Sequence, residues 1–219
     1  MRRWMPWRLI PAALLLLGLG AALPGPGDKL DESAPSAEPA DPPAGTLLIA
    51  SAEIGDPRFH HAVILILKHD ANGAFGVVIN RPLEEKPIAD LLAAVKDAKP
   101  GNRDDSGVEG TIRVFAGGPV QRGLGIVVHT PDYKRDATLT VPNLVAMTPT
   151  TEALRDIGRH KGPAKYFFAL GYAGWGPGQL DAEIQHHDWF STPGDEKLIF
   201  DDDRDGLWKE ALERRTRDL

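Results

Sequence analysis

The sequence predicts an α+β fold, a single domain with a mostly antiparallel sheet flanked by helices, on three observations. Dense apolar, β-branched runs such as residues 62–69 (AVILILKH) mark strands buried on both faces. Turn chemistry of the Asp70-Ala71-Asn72-Gly73 kind joins such runs into hairpins. Hairpins outnumber strand–helix–strand units, which argues against a doubly wound sheet.

The elements follow in order. Thr46–Ala50 is a short apolar strand. Asp56-Pro57-Arg58-Phe59 reads as a helix start or tight turn, with Asp as cap and Pro at the first position. Residues 62–69 form a central strand and 74–80 (AFGVVIN) its hairpin partner, which Arg81-Pro82 ends because proline cannot continue the ladder. Residues 87–95 place Ile88, Leu91, Leu92 and Val95 on one helical face. A charged, Gly-containing loop covers 97–110. Strands at 111–115 and 123–129 surround Gly117-Gly118-Pro119, and 131–140 is a polar excursion. A short strand at 144–147 precedes a helix at 149–159, with Thr148 as its cap and Glu152 and Asp156 on its exposed side. A strand at 164–170 (AKYFFAL), a loop at 171–178 and a helix at 177–186 come next. The last strand is expected at 197–200 and the last helix at 205–214, anchored by Leu207, Trp208 and Leu212.

Ahead of this domain, residues 1–23 carry Arg2, Arg3 and Arg8 before an apolar run and Gly20-Ala21-Ala22, the layout of a secretory signal or an uncleaved N-terminal anchor. Residues 24–44 hold six prolines and one large apolar residue, Leu30, and read as a disordered linker, leaving 45–219 as the folded domain. The expected location is therefore outside the cytoplasm, periplasmic or membrane-anchored through that segment alone, with a cytoplasmic location as the alternative.

Composition removes several function classes. The chain of 219 residues has no cysteine, which excludes disulfides, thiolate metal sites and a cysteine nucleophile. A net charge of −6 argues against nucleic-acid binding through bulk charge. His60-His61 and His186-His187 are adjacent pairs that diverge on any regular element, so no metal site is expected. Asp201-Asp202-Asp203 precedes the last helix, where acids suit its dipole. Ser51, Ser106 and Ser191 lie outside any Gly-x-Ser-x-Gly elbow.

Three motifs stand out: Gly76-Val77-Val78-Ile79-Asn80-Arg81-Pro82, then Gly117-Gly118-Pro119-Val120, then Leu170-Gly171-Tyr172-Ala173-Gly174-Trp175-Gly176-Pro177-Gly178-Gln179-Leu180. In that order, together with Asp56-Pro57-x-Phe59 and His69, they resemble the AlgH/YqgE family of bacterial proteins over residues 45–215. The resemblance implies a bifurcated, barrel-like sheet flanked by helices. It brings no established reaction, catalytic residue or cofactor, only a label as transcriptional regulator of exopolysaccharide synthesis drawn from one member. The leader departs from the family pattern, whose members usually begin at the equivalent of Thr46.

The third motif is the best site candidate from the residues themselves. Glycines 171, 174, 176 and 178 running into a helix can expose N–H groups to an anion, although Pro177 removes one donor and no phosphate-loop lysine follows. Tyr172 and Trp175 suit an apolar or planar ligand; alternatively the glycines only let strand, rings and helix pack closely. Asn80 and Arg81 are expected nearby, bonding carbonyls of this loop or an anion held there. The ligand-binding set is thus Asn80, Arg81, Gly171, Tyr172, Gly174, Trp175, Gly176, Gly178 and Gln179, with no catalytic residue, cofactor or metal. The expectation is a non-catalytic regulatory protein holding a small ligand or a protein partner. The alternative is a hydrolase or transferase whose acid–base groups, His69, His129 and Asp56, converge only in space.

Overall fold

The computed structural model describes residues 42–94, 104–149 and 151–215. The leader at 1–23, the linker up to residue 41 and Val95 at the end of the first predicted helix lie outside the described residues. The described chain starts inside the expected linker, with Pro42 already buried and its carbonyl bonded to the His69 ring.

Strands β1 (Thr46–Ala50), β2 (Val63–Asp70) and β3 (Gly73–Val78) form an antiparallel meander. Its first five β2 residues, VILIL, are all buried, as a doubly covered strand requires. The β2–β3 turn is set by Asp70, whose carboxylate accepts from Asn72 N–H at 2.8 Å. After β3 the chain turns at Asn80-Arg81 into β4 (Pro82–Pro87), continues as α1 (Ile88–Ala94), and returns as β5 (Thr111–Ala116), which pairs with β4. Then come β6 (Val120–His129), β7 (Leu139–Val141), β8 (Val145–Thr148), α2 (Thr151–Gly158), β9 (Tyr166–Trp175), α3 (Gln179–Gln185), β10 (Trp189–Pro193), α4 (Glu196–Phe200) and α5 (Leu207–Arg214).

The sheet forks at β9. The first half of β9 runs parallel to β5, with Ala116 opposite Leu170, and its second half is antiparallel to β3, with Gly76 opposite Ala173. On the other side β6 follows β9 but jumps register between Val120 and Gly125. The path β10-β1-β2-β3-β9-β6-β8-β7 is open and does not close into a barrel. It nevertheless curls enough that Leu47, Leu65, Val77, Phe115, Val128 and Phe167 share one interior, which α4 and α5 cap with Leu198, Phe200 and Leu207. Outside the curl, α1 and α2 cover β5, β6 and β9 through Ile88, Leu91, Leu154 and Ile157. On the β1–β3 side, α3 contributes Leu180.

The structure corrects five expectations. The segment after Leu170 is strand, not loop, as far as Trp175: Gly171 takes φ +72 and shifts the in–out parity, so Ala169 and Tyr172 both face the interior. β3 ends at Val78, ahead of Arg81-Pro82, and Pro82 opens β4, an edge strand in which its missing N–H costs no ladder bond. Residues 197–200 are helical, because Asp195 caps α4 by accepting from Leu198 N–H at 2.9 Å, and the edge strand is β10 instead. Thr148 closes β8 rather than capping α2, its hydroxyl bonded to His129 and Thr138. Asp156 is buried on α2, where it receives the Tyr133 hydroxyl at 2.6 Å and the Arg135 guanidinium.

Candidate functional site

The three sequence motifs meet at the fork. Val78 N–H donates to Gly117 C=O at 2.8 Å, and Gly117 N–H donates to Leu170 C=O at 2.8 Å. Gly118, at φ +156, approaches Tyr172 so closely that a Cβ there would lie 2.1 Å from the Tyr172 carbonyl carbon. A Cβ on Gly171 would fall 2.6 Å from the Gly118 oxygen. Both glycines are therefore required by backbone-to-backbone contact.

Past the fork the Gly-aromatic segment closes on itself. Gln179 accepts from Gly176 N–H at 3.1 Å and donates to Glu183 Oε1 at 2.9 Å. Glu183 Oε2 receives the indole N–H of Trp175 and that of Trp189, each at 2.8 Å. The two indoles meet edge to face at 6.0 Å, and Phe59 packs edge-on against Trp189 at 5.4 Å. Tyr172 faces the interior against Phe75, and burial raises its phenol pKa. Of the predicted residues, Trp175, Gly176 and Gln179 are brought together, Tyr172 is turned to the opposite face, and Gly174 and Gly178 are exposed. Glu183 and Trp189 complete the group and were not anticipated. The Gln179–Glu183 spacing of one helical turn was the readable signal; Trp189 arrives from β10 and leaves none.

Asn80 and Arg81 sit at the other end of the fork. Asn80 Oδ1 accepts from Val63 N–H at 2.9 Å, and its amide donates to His61 C=O at 2.8 Å. Arg81 C=O receives Ala116 N–H at 2.9 Å, which places the turn two strands from Leu170. Its guanidinium donates to His60 C=O at 3.0 Å rather than to a carbonyl of the Gly-aromatic segment. Burial without a compensating charge lowers the Arg81 pKa.

The acid–base candidates do not converge. His69 Nδ1 lies 3.0 Å from Pro42 O, and its Nε2 is 3.8 Å from Asp181. Asp56 caps its turn through Arg58 N–H at 2.9 Å and holds the Arg58 guanidinium at 2.6 Å, which lowers its pKa. His129 is fully buried, Nδ1 2.8 Å from Thr130 O and Nε2 2.9 Å from Thr148 Oγ1, and burial lowers its pKa. The His129–Thr148 pair has the spacing of a base and a hydroxyl nucleophile, but both side chains are at 0% exposure, out of reach of a substrate. Ser51 is buried, Ser106 bonds Asp104, and Ser191 lies within β10. Among the described residues no group of three or more His, Cys, Asp or Glu is placed to hold a metal ion. Asp201 and Asp203 accept from backbone N–H groups two residues on, and Asp202 pairs with Arg113 at 2.8 Å.

Two titratable groups with strongly shifted pKa values escaped the sequence reading, one buried and one half-buried. Arg204 donates to the carbonyls of Leu198 and Ile199 at the end of α4 and lies over the rings of Phe115 and Phe167, its pKa lowered by burial to about 10. Tyr133, also the edge partner of His129 at 5.3 Å, has its phenol pushed up to about 12 by burial and by Asp156.

Among the described residues no helix is long and apolar enough to cross a membrane. Comparison with known proteins extends the motif argument to almost the whole described chain. Residues 47–219 match the family model described as AlgH-like. A UPF0301 protein of Cereibacter sphaeroides is 42% identical over 170 residues, covering 77% of this chain and 89% of its own. Another from Rhodospirillum rubrum is 43% identical over 157 residues, covering 72% of this chain and 79% of its own. The solution structure of AlgH from Pseudomonas aeruginosa aligns with a TM-score of 0.64 at 33% identity, over 84% of this chain and 92% of that one. A crystal structure from Corynebacterium diphtheriae shares the fold at a TM-score of 0.62 and 20% identity, over 83% of this chain and 91% of that one. The fork that joins the three motifs is thus set in a domain that family model, relatives and fold all identify alike, and the chain belongs to the uncharacterised AlgH-like, UPF0301 family.

Proposed function

We propose that this protein is a non-catalytic binding protein with a regulatory role, and that its recognition surface centres on the Asn80-Arg81-Pro82 turn. One observation carries this reading: among the described residues Arg81 is a partly buried cation with no acidic partner, while Asp56, His69 and His129 are each engaged within the fold. The polar groups of Trp175, Gly176 and Gln179 are bonded to one another and to Glu183, and those of Asn80 to Val63 and His61, so the ligand-facing member of the predicted set is Arg81. Complementation of a strain deleted for this gene tests the reading. Asp56→Asn and His69→Gln should restore the wild-type phenotype, and Arg81→Ala, present at wild-type abundance, should not. Loss of function in Asp56→Asn or His69→Gln with Arg81→Ala active would favour acid–base chemistry instead.

We further infer export through residues 1–23, or anchoring by that segment, from its arginines, apolar run and Gly20-Ala21-Ala22. Direct transcriptional control by this chain does not fit that location or its acidic charge. Mass spectrometry of the native protein should find a new N-terminus after Ala22 or an intact chain in the membrane fraction. An intact chain in the soluble cytoplasm would reject both.

A further inference from the structure

Several other arginines of the described residues hold carboxylates: Arg113 reaches Asp202 at 2.8 Å, Arg155 reaches Asp105 at 2.7 Å, and Arg214 reaches Asp195 at 2.5 Å, while Arg215 lies over the Phe190 ring. Buried Arg204 instead satisfies two helix-terminal carbonyls and two aromatic faces. Among the described residues Arg81 has a single side-chain hydrogen bond, from Nη2 to His60 C=O. A guanidinium carries five N–H donors in a planar fork, and withdrawing it from water without a counter-charge is unfavourable.

The turn beneath it is nevertheless held firmly. Asn80 ties it to both Val63 and His61, Ile79 N–H donates to Val63 C=O at 2.9 Å, Ala116 holds the Arg81 carbonyl, and Pro82 fixes the next φ. The segment that receives the guanidinium carries the exposed residues His60, whose Nε2 lies 3.2 Å from Ile54 O, and His61, whose ring packs on Trp208 at 4.4 Å. His61 adopts φ +54, a conformation that Asn80 secures through its carbonyl. Asp56, the acid of that segment, is engaged by Arg58 through contacts of 2.6 to 3.0 Å. In a chain of net charge −6, this corner presents a guanidinium fork whose neighbouring carboxylate, Asp56, is already paired with Arg58.

Resting on the recognition surface proposed above, we propose that the Arg81 fork, with the His60 and His61 imidazoles on the segment it bonds, is a receptor for an oxyanion, the carboxylate or phosphate group of the ligand. A fork matches two oxygens of either group in a way that a lysine ammonium does not. The remaining donors of Arg81 would take the oxygens while Nη2 keeps its bond to His60.

The test is titration of the full chain with inorganic phosphate and with acetate, followed by ¹H–¹⁵N NMR against sodium chloride of equal ionic strength. Saturable shifts are expected at Arg81 Nε–H and at the amides of His61 and Ala62, and the anion that saturates first identifies the ligand group. Arg81→Gln should weaken binding about tenfold or more, equivalent to about 1.4 kcal/mol. Arg81→Lys, which keeps the charge and loses the fork, should fall between the two and carries the test should Arg81→Gln not fold. Exposed Arg122, changed to Gln, should leave the affinity unchanged. Neither anion exceeding chloride, Arg81→Gln or Arg81→Lys binding like wild type, or Arg122→Gln weakening binding as much, would overturn the assignment. Failed titrations with Arg81→Ala still inactive in complementation would remove only the oxyanion; full complementation by Arg81→Ala would remove the recognition surface itself.

Discussion

Trp175 and Glu183 are joined by an indole N–H···Oε2 bond of 2.8 Å, and the same oxygen takes the Trp189 indole at the same distance. One carboxylate thereby links the end of β9, the middle of α3 and the start of β10, with both indoles buried. Glu183→Ala leaves two buried N–H donors unpaired and should lower stability by about 2–4 kcal/mol, since bonds to charged groups contribute about 1.5–3 kcal/mol each and are not additive. Glu183→Gln keeps an acceptor oxygen and should lose less. Urea unfolding followed by tryptophan fluorescence measures both; a loss within about 0.5 kcal/mol for Glu183→Ala would show that the carboxylate holds nothing.

How far this was legible in the sequence depends on where each element draws its stability. β2 was readable because five consecutive buried residues leave no ambiguity about solvent. β4 (PLEEKP) was not, because it is almost wholly exposed and has no in–out alternation to detect; its partner β5 alone defines it. Leu198, Ile199 and Phe200 have strand propensity, and only the Asp195 cap with burial of all three makes them helical. The motif glycines were legible as close-packing positions without revealing that the packing partner was another motif. The site was half legible for the same reason: Gln179 and Glu183 are local, whereas Trp189 and the His60 carbonyl come from elsewhere in the chain.

Gly118→Ala tests the fork. The added methyl would overlap the Tyr172 backbone at 2.1 Å, where no flexible side chain can yield, and φ +156 strains any L residue further. The expected loss is about 3 kcal/mol or more, or failure to fold. Gly123→Ala, where nothing lies within 4 Å of the new carbon, should change stability by no more than about 0.5 kcal/mol. Equal melting of the two variants would contradict the proximity.

Asn80 acts as donor and acceptor at once, so its replacements by Ala and by Asp should respond differently to pH. Asn80→Ala unpairs Val63 N–H and His61 C=O and should lower stability by about 1–3 kcal/mol. Asn80→Asp keeps the acceptor but sets a carboxylate against the His61 carbonyl at neutral pH. Acidification toward about pH 4 protonates that carboxylate and restores a donor, so its deficit relative to wild type should narrow. A deficit independent of pH would show that the His61 bond contributes nothing.

The buried His129 should give the protein an acid-sensitive stability well above the carboxylate range. With Nδ1 donating to Thr130 C=O, the Nε2 lone pair accepts the Thr148 hydroxyl, which in turn accepts from Thr138 at 2.8 Å. That arrangement requires the neutral ring, and burial lowers its pKa even though Thr130 C=O and the charge of Asp132 pull the other way. Below the ordinary histidine value of about 6.5, the unfolded chain therefore binds a proton that the native ring refuses, and stability falls with pH until the native pKa is reached. The slope from this one group approaches about 1.4 kcal/mol per pH unit. Asp56, Asp70 and Asp132 have lowered pKa values for the opposite reason, favourable partners for the charged form, so their contribution is retained above about pH 4 and lost only below it. The two windows open at different pH, that of His129 first as acid is added. Urea midpoints between pH 7.5 and 5 should drop for the wild type and drop less steeply for His129→Gln, even though that variant starts less stable. Parallel pH profiles for the two proteins would mean that His129 titrates alike in the folded and unfolded chain, and that its bonds to Thr130 and Thr148 do not fix its proton.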